Sequence, residues 1–294
     1  MAFNRKSVVC AASGCVIAPQ GIDFMAFAGK VAAETDTRMP FISDPVFYAA
    51  AIPAVIFVGL SKGGLGGAMA LIGVPLMALV VSPVKAAAIM LPILIVMDIV
   101  GLWTWRGIYD ARTLKIMLPA GMAGIAIGWM TATWVTVPQV RLLVGVIALL
   151  FAADYVRQRL RARPPEPKSH NVVKGSICGT LAGFTSFVSH AGGPPYQVYA
   201  LPLGHDPKLF TGTSVIFFAV INAAKLVPYF ALGQFDLANL STSLVLMPIA
   251  PVATIAGAWI VKHMNRAVFY PFMYVMVFIV GLKLVYDGLT SFSS

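Results

Sequence analysis

From residue 46 onward, apolar segments follow one another closely, and short gaps between them hold most of the polar residues. The runs 86–105, 116–137, 137–156, 209–232, 237–261 and 267–286 are each long enough to cross about 30 Å of hydrocarbon, which takes about 20 residues of helix. Four further segments, 46–60, 66–81, 174–189 and 195–203, are shorter, and the last is too short to cross at about 1.5 Å per residue. They read as half-helices folded into re-entrant hairpins. Irregular backbone at membrane depth is tolerated only inside protein or along a cavity, so the hairpin tips should face inward. The pattern predicts an all-α integral membrane protein.

Helix breakers mark the tips. Ser186-Phe187-Val188-Ser189-His190-Ala191-Gly192-Gly193-Pro194-Pro195 stands between apolar runs, and Ser61-Lys62-Gly63-Gly64-Leu65-Gly66-Gly67 echoes it earlier. Paired glycines and prolines should end one helix and start another, leaving backbone N–H groups at the new N-terminus. The two stretches read as facing halves of one anion site. Gly63-Gly64 with Gly192-Gly193, Asp98 with Asn222, Asp110 with Asp236, and Gly128 with Gly257 recur at nearly constant separation. That implies two repeats, 46–156 and 174–287, each a re-entrant or broken hairpin plus three transmembrane helices. A basic linker over 157–173 joins them, and a short tail over 288–294 follows. Three full crossings per half is an odd number, so the halves should insert with inverted topology.

Composition agrees with the membrane reading. Hydrophobic residues make up 59% of the 294 residues and charged residues 11%, too little polar surface to coat a soluble globule. Mean hydropathy is +0.85. The net charge of +10 would suggest nucleic acid in a soluble domain, but the basic residues sit in gaps between apolar segments, where they orient helices. No nucleic-acid partner is expected; the lipid bilayer is. Arg157, Arg159, Arg161, Arg163, Lys168 and Lys174 place the central linker in the cytoplasm. Counting outward puts Arg106, Arg112, Lys115, Lys208, Lys262 and Arg266 on the same side, and Lys85, Arg141, Lys283 and the C-terminus on the periplasmic side. Within residues 1–45, Arg5 and Lys6 precede an apolar run over 7–18 that Pro19, Gln20 and Asp23 interrupt, which reads as a signal-like or interfacial segment before a polar loop. Cys10, Cys15 and Cys178 show neither metal-ligand spacing nor a disulfide framework, so no metal, cofactor or redox function is expected.

Charges at membrane depth are costly and carry the most weight. They are Lys62, Asp98 and Lys225, with His190 as a titratable neighbour. Lys62 sits at the first tip and His190 nearly at the equivalent place in the second, where the helices starting at Gly64 and Gly193 should aim their positive ends. Two cations against one carboxylate attract an anion. Ser61, Ser186, Ser189, Gln197 and Thr213 offer hydroxyl or amide donors, and Gly63, Gly64, Gly192 and Gly193 allow close backbone approach. Asp98, Asn222 and Lys225 are candidates for coupling or gating; equally, Asp98 and Lys225 are placed to neutralise each other across two helices. Trp103 and Trp105 read as an interfacial belt, and Gly121, Gly124, Gly128 and Gly257 as close helix packing.

The plan Gly59-x-x-x-Gly63-Gly64 leading to Val74-Pro75 and Leu76, repeated as Gly183 through Gly192-Gly193-Pro194 to Leu201-Pro202 and Leu203, resembles the TauE/SafE-type sulfite exporter family over about residues 46–287. Lys62 at the first tip, and His190 with Pro194-Pro195 at the second, depart from its glycine-rich pattern. The resemblance implies a bacterial inner-membrane carrier with inverted repeats that moves sulfite, thiosulfate, sulfoacetate or a related organic anion, usually outward. No Walker-type phosphate loop is present, so an ion gradient should drive transport. A proton carried by Asp98 or His190 is the first candidate and Na+ the second. A passive anion channel is the closest alternative. An intramembrane enzyme pairing His190 with Asp98 or a serine ranks lower, because nothing in the spacing brings them within hydrogen-bond reach. The chain is therefore not expected to be an enzyme.

Overall fold

The computed structural model describes residues 8–11, 14–17, 42, 44–65, 70, 73, 76–81, 83–131, 134–160, 167–231 and 237–291. Gly66, Gly67, Arg161, Arg163 and Asp236, which entered the sequence reading, lie outside them, as does most of 1–45. The chain divides into two units, Met1–Pro40 and Phe41–Ser294. In the first, β1 (Val8–Ala11) and β2 (Gly14–Ile17) pair antiparallel, across the run that reads as signal-like in sequence.

The described residues of the second unit form ten α-helices: α1 (Pro45–Leu60), α2 (Pro83–Thr104), α3 (Ala111–Met130), α4 (Val137–Leu160), α5 (Val172–Ser189), α6 (Gly193–Ala200), α7 (Pro207–Ala231), α8 (Leu237–Leu246), α9 (Ile249–His263) and α10 (Arg266–Thr290). Their starts follow from short side chains that accept the first free N–H groups. Asp44 accepts from Val46, Asp110 from Arg112 and Thr113, Asn171 from Lys174, and Asn265 from Val268. Pro83 and Pro207 open α2 and α7 as the first residue, where no N–H is needed. The cap at Asp110 starts α3 ahead of the apolar run that begins at 116.

Six described helices are long and apolar enough to cross a membrane, and the bent pair α8–α9 makes a seventh. The run 86–105, expected to cross, counts among the described residues only as a shorter apolar helix over Ala88–Thr104, and two further differences from the sequence reading have simple causes. The continuous run 237–261 is bent by 48° between Leu246 and Ile249, at Pro248, which has no N–H for the helix ladder. The first arms of the hairpins are longer than expected: α1 with the following turn spans 21 residues and α5 spans 18. Among the described residues, α6, with eight, is plainly a short arm.

The helices pair across the two halves. α3 packs on α5 and α9 on α1; α2 meets α7 and α9, while α7 meets α2 and α3; α4 packs on α10. Exchanging the halves leaves this set unchanged, which is consistent with inverted repeats. Glycine makes both of the matched contacts. A Cβ at Gly183 would strike the Gly121 carbonyl of α3, and one at Gly257 the Leu60 carbonyl of α1. Large apolar side chains such as Leu150, Val252 and Trp259 remain exposed on the outside, as lipid contact allows.

The loops also sort. Asp110 before α3 faces His170 before α5 and His205 before α7, Lys168 N donates to Pro202 O, and Asp206 lies 3.9 Å from Arg266 at the start of α10. These connections, whose basic residues count to one side in the sequence, share one face of the structure.

Candidate functional site

Both hairpin tips depart from helical geometry in ways that their residues dictate. After α1, Ser61–Leu65 forms a wide turn in which Gly64 has φ 143°, a conformation open to glycine. A Cβ there would meet Thr211 Cγ2 at 2.6 Å. The indole of Trp105 donates from Nε1 to Gly63 O at 3.0 Å and pins the turn. Trp105 is fully buried, which corrects its reading as part of an interfacial belt, while Trp103 is 65% exposed. At the second tip α5 ends on His190, left-handed at φ 54°. That conformation costs a non-glycine residue roughly 1–2 kcal/mol, so the surroundings must hold it. Thr185 does part of this: its carbonyl accepts from Ala191 N at 3.1 Å, and its hydroxyl is shared between Leu181 O at 2.7 Å and Ala191 O at 3.1 Å.

Between the tips lies a cavity of about 80 Å³. A water needs about 10–15 Å³ on the same measure, so a small organic or inorganic ion fits. Ser61, Lys62, Ser186, His190, Gly192, Gly193, Gln197, Asn222 and Lys225 all line it. Other expected residues do not. Gly63 packs against the Thr254 carbonyl, Gly64 packs on Thr211, Ser189 Oγ donates to Thr185 O at 3.2 Å, and Thr213 Oγ1 accepts from Asp110 N at 2.8 Å on the loop face. Pro194 and Pro195 carry no N–H, so at the start of α6 only Gly192 and Gly193 can turn a backbone donor toward a ligand.

The ion pairing differs from the expected Asp98–Lys225 pair. Lys62 Nζ reaches Asp98 Oδ1 at 2.6 Å, and Asn222 Nδ2 donates to Oδ2 at 2.6 Å. Lys225 instead donates from Nζ to Ser186 Oγ at 3.2 Å and Ser186 O at 3.4 Å. The reason is register: Asn222, one turn before Lys225 on α7, occupies the carboxylate's second oxygen. Asp98 is thus withdrawn from the wall, and no carboxylate among the described residues pairs with Lys225.

The rest of the cavity wall is mostly apolar. Met90 and Leu94 of α2, Tyr196 of α6, and Phe210 and Phe218 of α7 close the cavity. The Lys62 ammonium sits 5.9 Å from the Phe218 ring centre. Tyr196 OH is buried with no hydrogen-bond partner among the described residues, a donor that a ligand could satisfy. Its spacing of three from Gly193 puts both on one face of α6, the one sequence signal that pointed to it.

On the loop face, Asp110 is held below the ordinary carboxylate range. Burial raises it, but hydrogen bonds from the Thr113 side chain and the Thr113 and Arg112 backbones, with the nearby His170, outweigh that. Burial pushes the His205 imidazole down, and the Asp110 carboxylate only partly offsets it.

A family model described as "Sulfite exporter TauE/SafE" matches residues 51–284. No curated protein and no solved structure matches the chain.

Proposed function

The chain belongs to the Sulfite exporter TauE/SafE family, multi-pass membrane transporters of small anions and not enzymes, and from that premise we propose that it is a secondary carrier of a compact oxyanion such as sulfite or a sulfonate. The anion binds between the two hairpin tips, beside Lys62, Lys225 and His190. The observation that carries this reading is the imbalance at the cavity: two lysines line it, and among the described residues one nearby carboxylate, Asp98, pairs with Lys62 and leaves Lys225 as the unmatched positive charge. An anion there gains charge-assisted hydrogen bonds from groups that are already desolvated.

In this proposal the halves insert with inverted topology and rock about the site, exposing the anion alternately to the cytoplasm and the periplasm of a bacterial inner membrane. Net movement is outward. An ion gradient drives it, with a proton as the coupling ion and Na+ as the second candidate. Asp98, Asn222 and Lys225, which join α2 to α7 and to the second tip, are the coupling residues. The basic loop face is cytoplasmic.

The test is a binding screen on purified protein by calorimetry or thermal shift, using sulfite, thiosulfate, sulfoacetate, isethionate, taurine, acetate and lactate. One of the anions should raise the melting temperature of the wild type but not of Lys62→Ala or His190→Ala. Equal stabilisation of all three proteins would remove the tips as the site. No response from any anion would turn the assignment toward neutral or cationic substrates.

A further inference from the structure

Away from the cavity, on the loop face, three side chains from distant parts of the chain converge. Asp110 precedes α3, His170 precedes α5 and His205 precedes α7; a carboxylate oxygen and one ring nitrogen from each histidine all lie within 4.8 Å of one another. Both Nε2 atoms approach the same oxygen, Asp110 Oδ2, at 3.4 Å each. Side-chain exposures are 15–20%, so the group is sheltered but reachable. His205 Nε2 is buried and makes no hydrogen bond among the described residues.

We propose that Asp110, His170 and His205 form a binding site for a divalent first-row transition-metal cation of the zinc type, linking the two halves at the loop face. The spacing carries it. Nitrogen and oxygen ligands bind Zn2+ at about 2.0–2.2 Å, so two ligands at a tetrahedral angle stand about 3.3–3.6 Å apart. Both N···O separations here fall in that range, whereas direct N–H···O hydrogen bonds concentrate near 2.9 Å. Two imidazoles and one carboxylate suit zinc, cobalt, nickel or iron, and are unsuited to Mg2+ or Ca2+, which prefer oxygen donors.

The surroundings fix each ligand independently of a metal. His170 Nδ1 lies 3.3 Å from Tyr199 OH, an outer-shell contact that orients the ring with Nε2 toward the carboxylate. Tyr270 OH donates to His205 O at 2.7 Å, and Asp110 N donates to Thr213 Oγ1 at 2.8 Å. Asp110 Oδ2 accepts from Thr113 N at 2.9 Å, leaving lone-pair capacity for a cation. Arg266, a basic residue close enough to act on His205, lies 3.9 Å from Asp206. Three donors leave a fourth position for water, and no sequence motif announces them because each sits on a different connection.

The experiment uses the full chain in detergent, stripped with EDTA and titrated calorimetrically with Zn2+, with Mg2+ as the control metal. The wild type should bind one Zn2+ and melt at a higher temperature, and Mg2+ should do neither. His170→Gln and His205→Gln should each weaken Zn2+ at least tenfold while melting without metal as the wild type does. His263→Gln, at the exposed end of α9, should leave binding unchanged. Asp110→Asn keeps a capping oxygen for α3 and should weaken binding without unfolding the chain. Should a histidine variant fail to fold, the visible spectrum of Co2+-loaded wild type decides: intense tetrahedral bands displaced by Zn2+ support the site. Absence of Zn2+ binding by the wild type, or equal affinity in the folded His170→Gln and His205→Gln variants, would overturn it.

Discussion

Asn222 donates to Asp98 at 2.6 Å, although the two lie 124 residues apart and match each other in the repeat read from the sequence. Residues related by a two-fold exchange can touch only close to the axis of that exchange. In the proposed inverted arrangement the contact therefore puts α2 and α7 at the axis relating the halves, where Asp98 also holds Lys62. It also explains why one member is an acid and the other an amide. Two carboxylates at this separation would repel, whereas Asp with Asn forms a hydrogen bond and leaves one charge for Lys62.

Removing that charge should be costly. Asp98→Asn leaves the half-buried Lys62 without its ion-pair partner, a loss of up to about 3–5 kcal/mol, while Asn222→Ala removes one hydrogen bond to a charged group, about 1.5–3 kcal/mol. Thermal melting should therefore rank Asp98→Asn below Asn222→Ala. Adding Lys62→Met to Asp98→Asn should recover most of the stability, because the stranded charge is gone. A double variant no more stable than the single one would mean that the pair contributes chiefly through other contacts.

The matched glycine contacts make a second prediction. Gly183→Ala and Gly257→Ala each push a methyl group into a backbone carbonyl of the opposite half. Each should cost about 1–3 kcal/mol, as overpacking does. Gly107→Ala meets nothing within 4 Å and suffers only from its φ of 75°, so it should lose about 1 kcal/mol. Melting temperatures of the three variants check the order.

The spans were legible because a helix that must cross hydrocarbon leaves an uninterrupted apolar run, and the tips because Gly and Pro pairs cannot continue a helix. The bend at Pro248 was legible in principle, since the proline interrupts an apolar run, but length alone favoured one straight span. The partner of Asp98 was not legible. Lys62 and Lys225 carry the same charge into the same layer, and only the three-dimensional register of α7, which sets Asn222 against Asp98, chooses between them. Trp105 misled for a similar reason: an aromatic residue at a helix end reads as a belt residue whether its indole meets lipid or donates to Gly63 O. The Asp110, His170 and His205 group left no trace in sequence because three connections contribute one ligand each.

Sidedness is checked by labelling. In a background of Cys10→Ser, Cys15→Ser and Cys178→Ser, the exposed Lys168 of the linker and the exposed Gln139 near the start of α4 lie at opposite ends of the bundle. With Lys168→Cys, a membrane-impermeant maleimide should react only after the cells are opened; with Gln139→Cys it should react on intact cells. The reverse pattern would invert the assignment of the basic face, and with it the positive-inside argument.

Lys225 separates a structural from a binding role. The residue is 1% exposed, and its ammonium bonds only to Ser186 among the described residues. Holding a lysine there costs stability, and no carboxylate among the described residues pairs with it directly, so a purely structural site would favour an apolar side chain. Lys225→Met keeps the length and apolar stem, and should leave the melting temperature equal or higher, since replacing buried ionisable groups by well-packed apolar ones is neutral or stabilising. Anion binding should fall at least tenfold, which corresponds to about 1.4 kcal/mol. Calorimetric titration of Lys225→Met beside the wild type, with the anion that stabilises the wild type, reads both quantities on one sample. A stable variant with wild-type affinity would move the anion away from the second tip and leave Lys62 as the only lysine at the site.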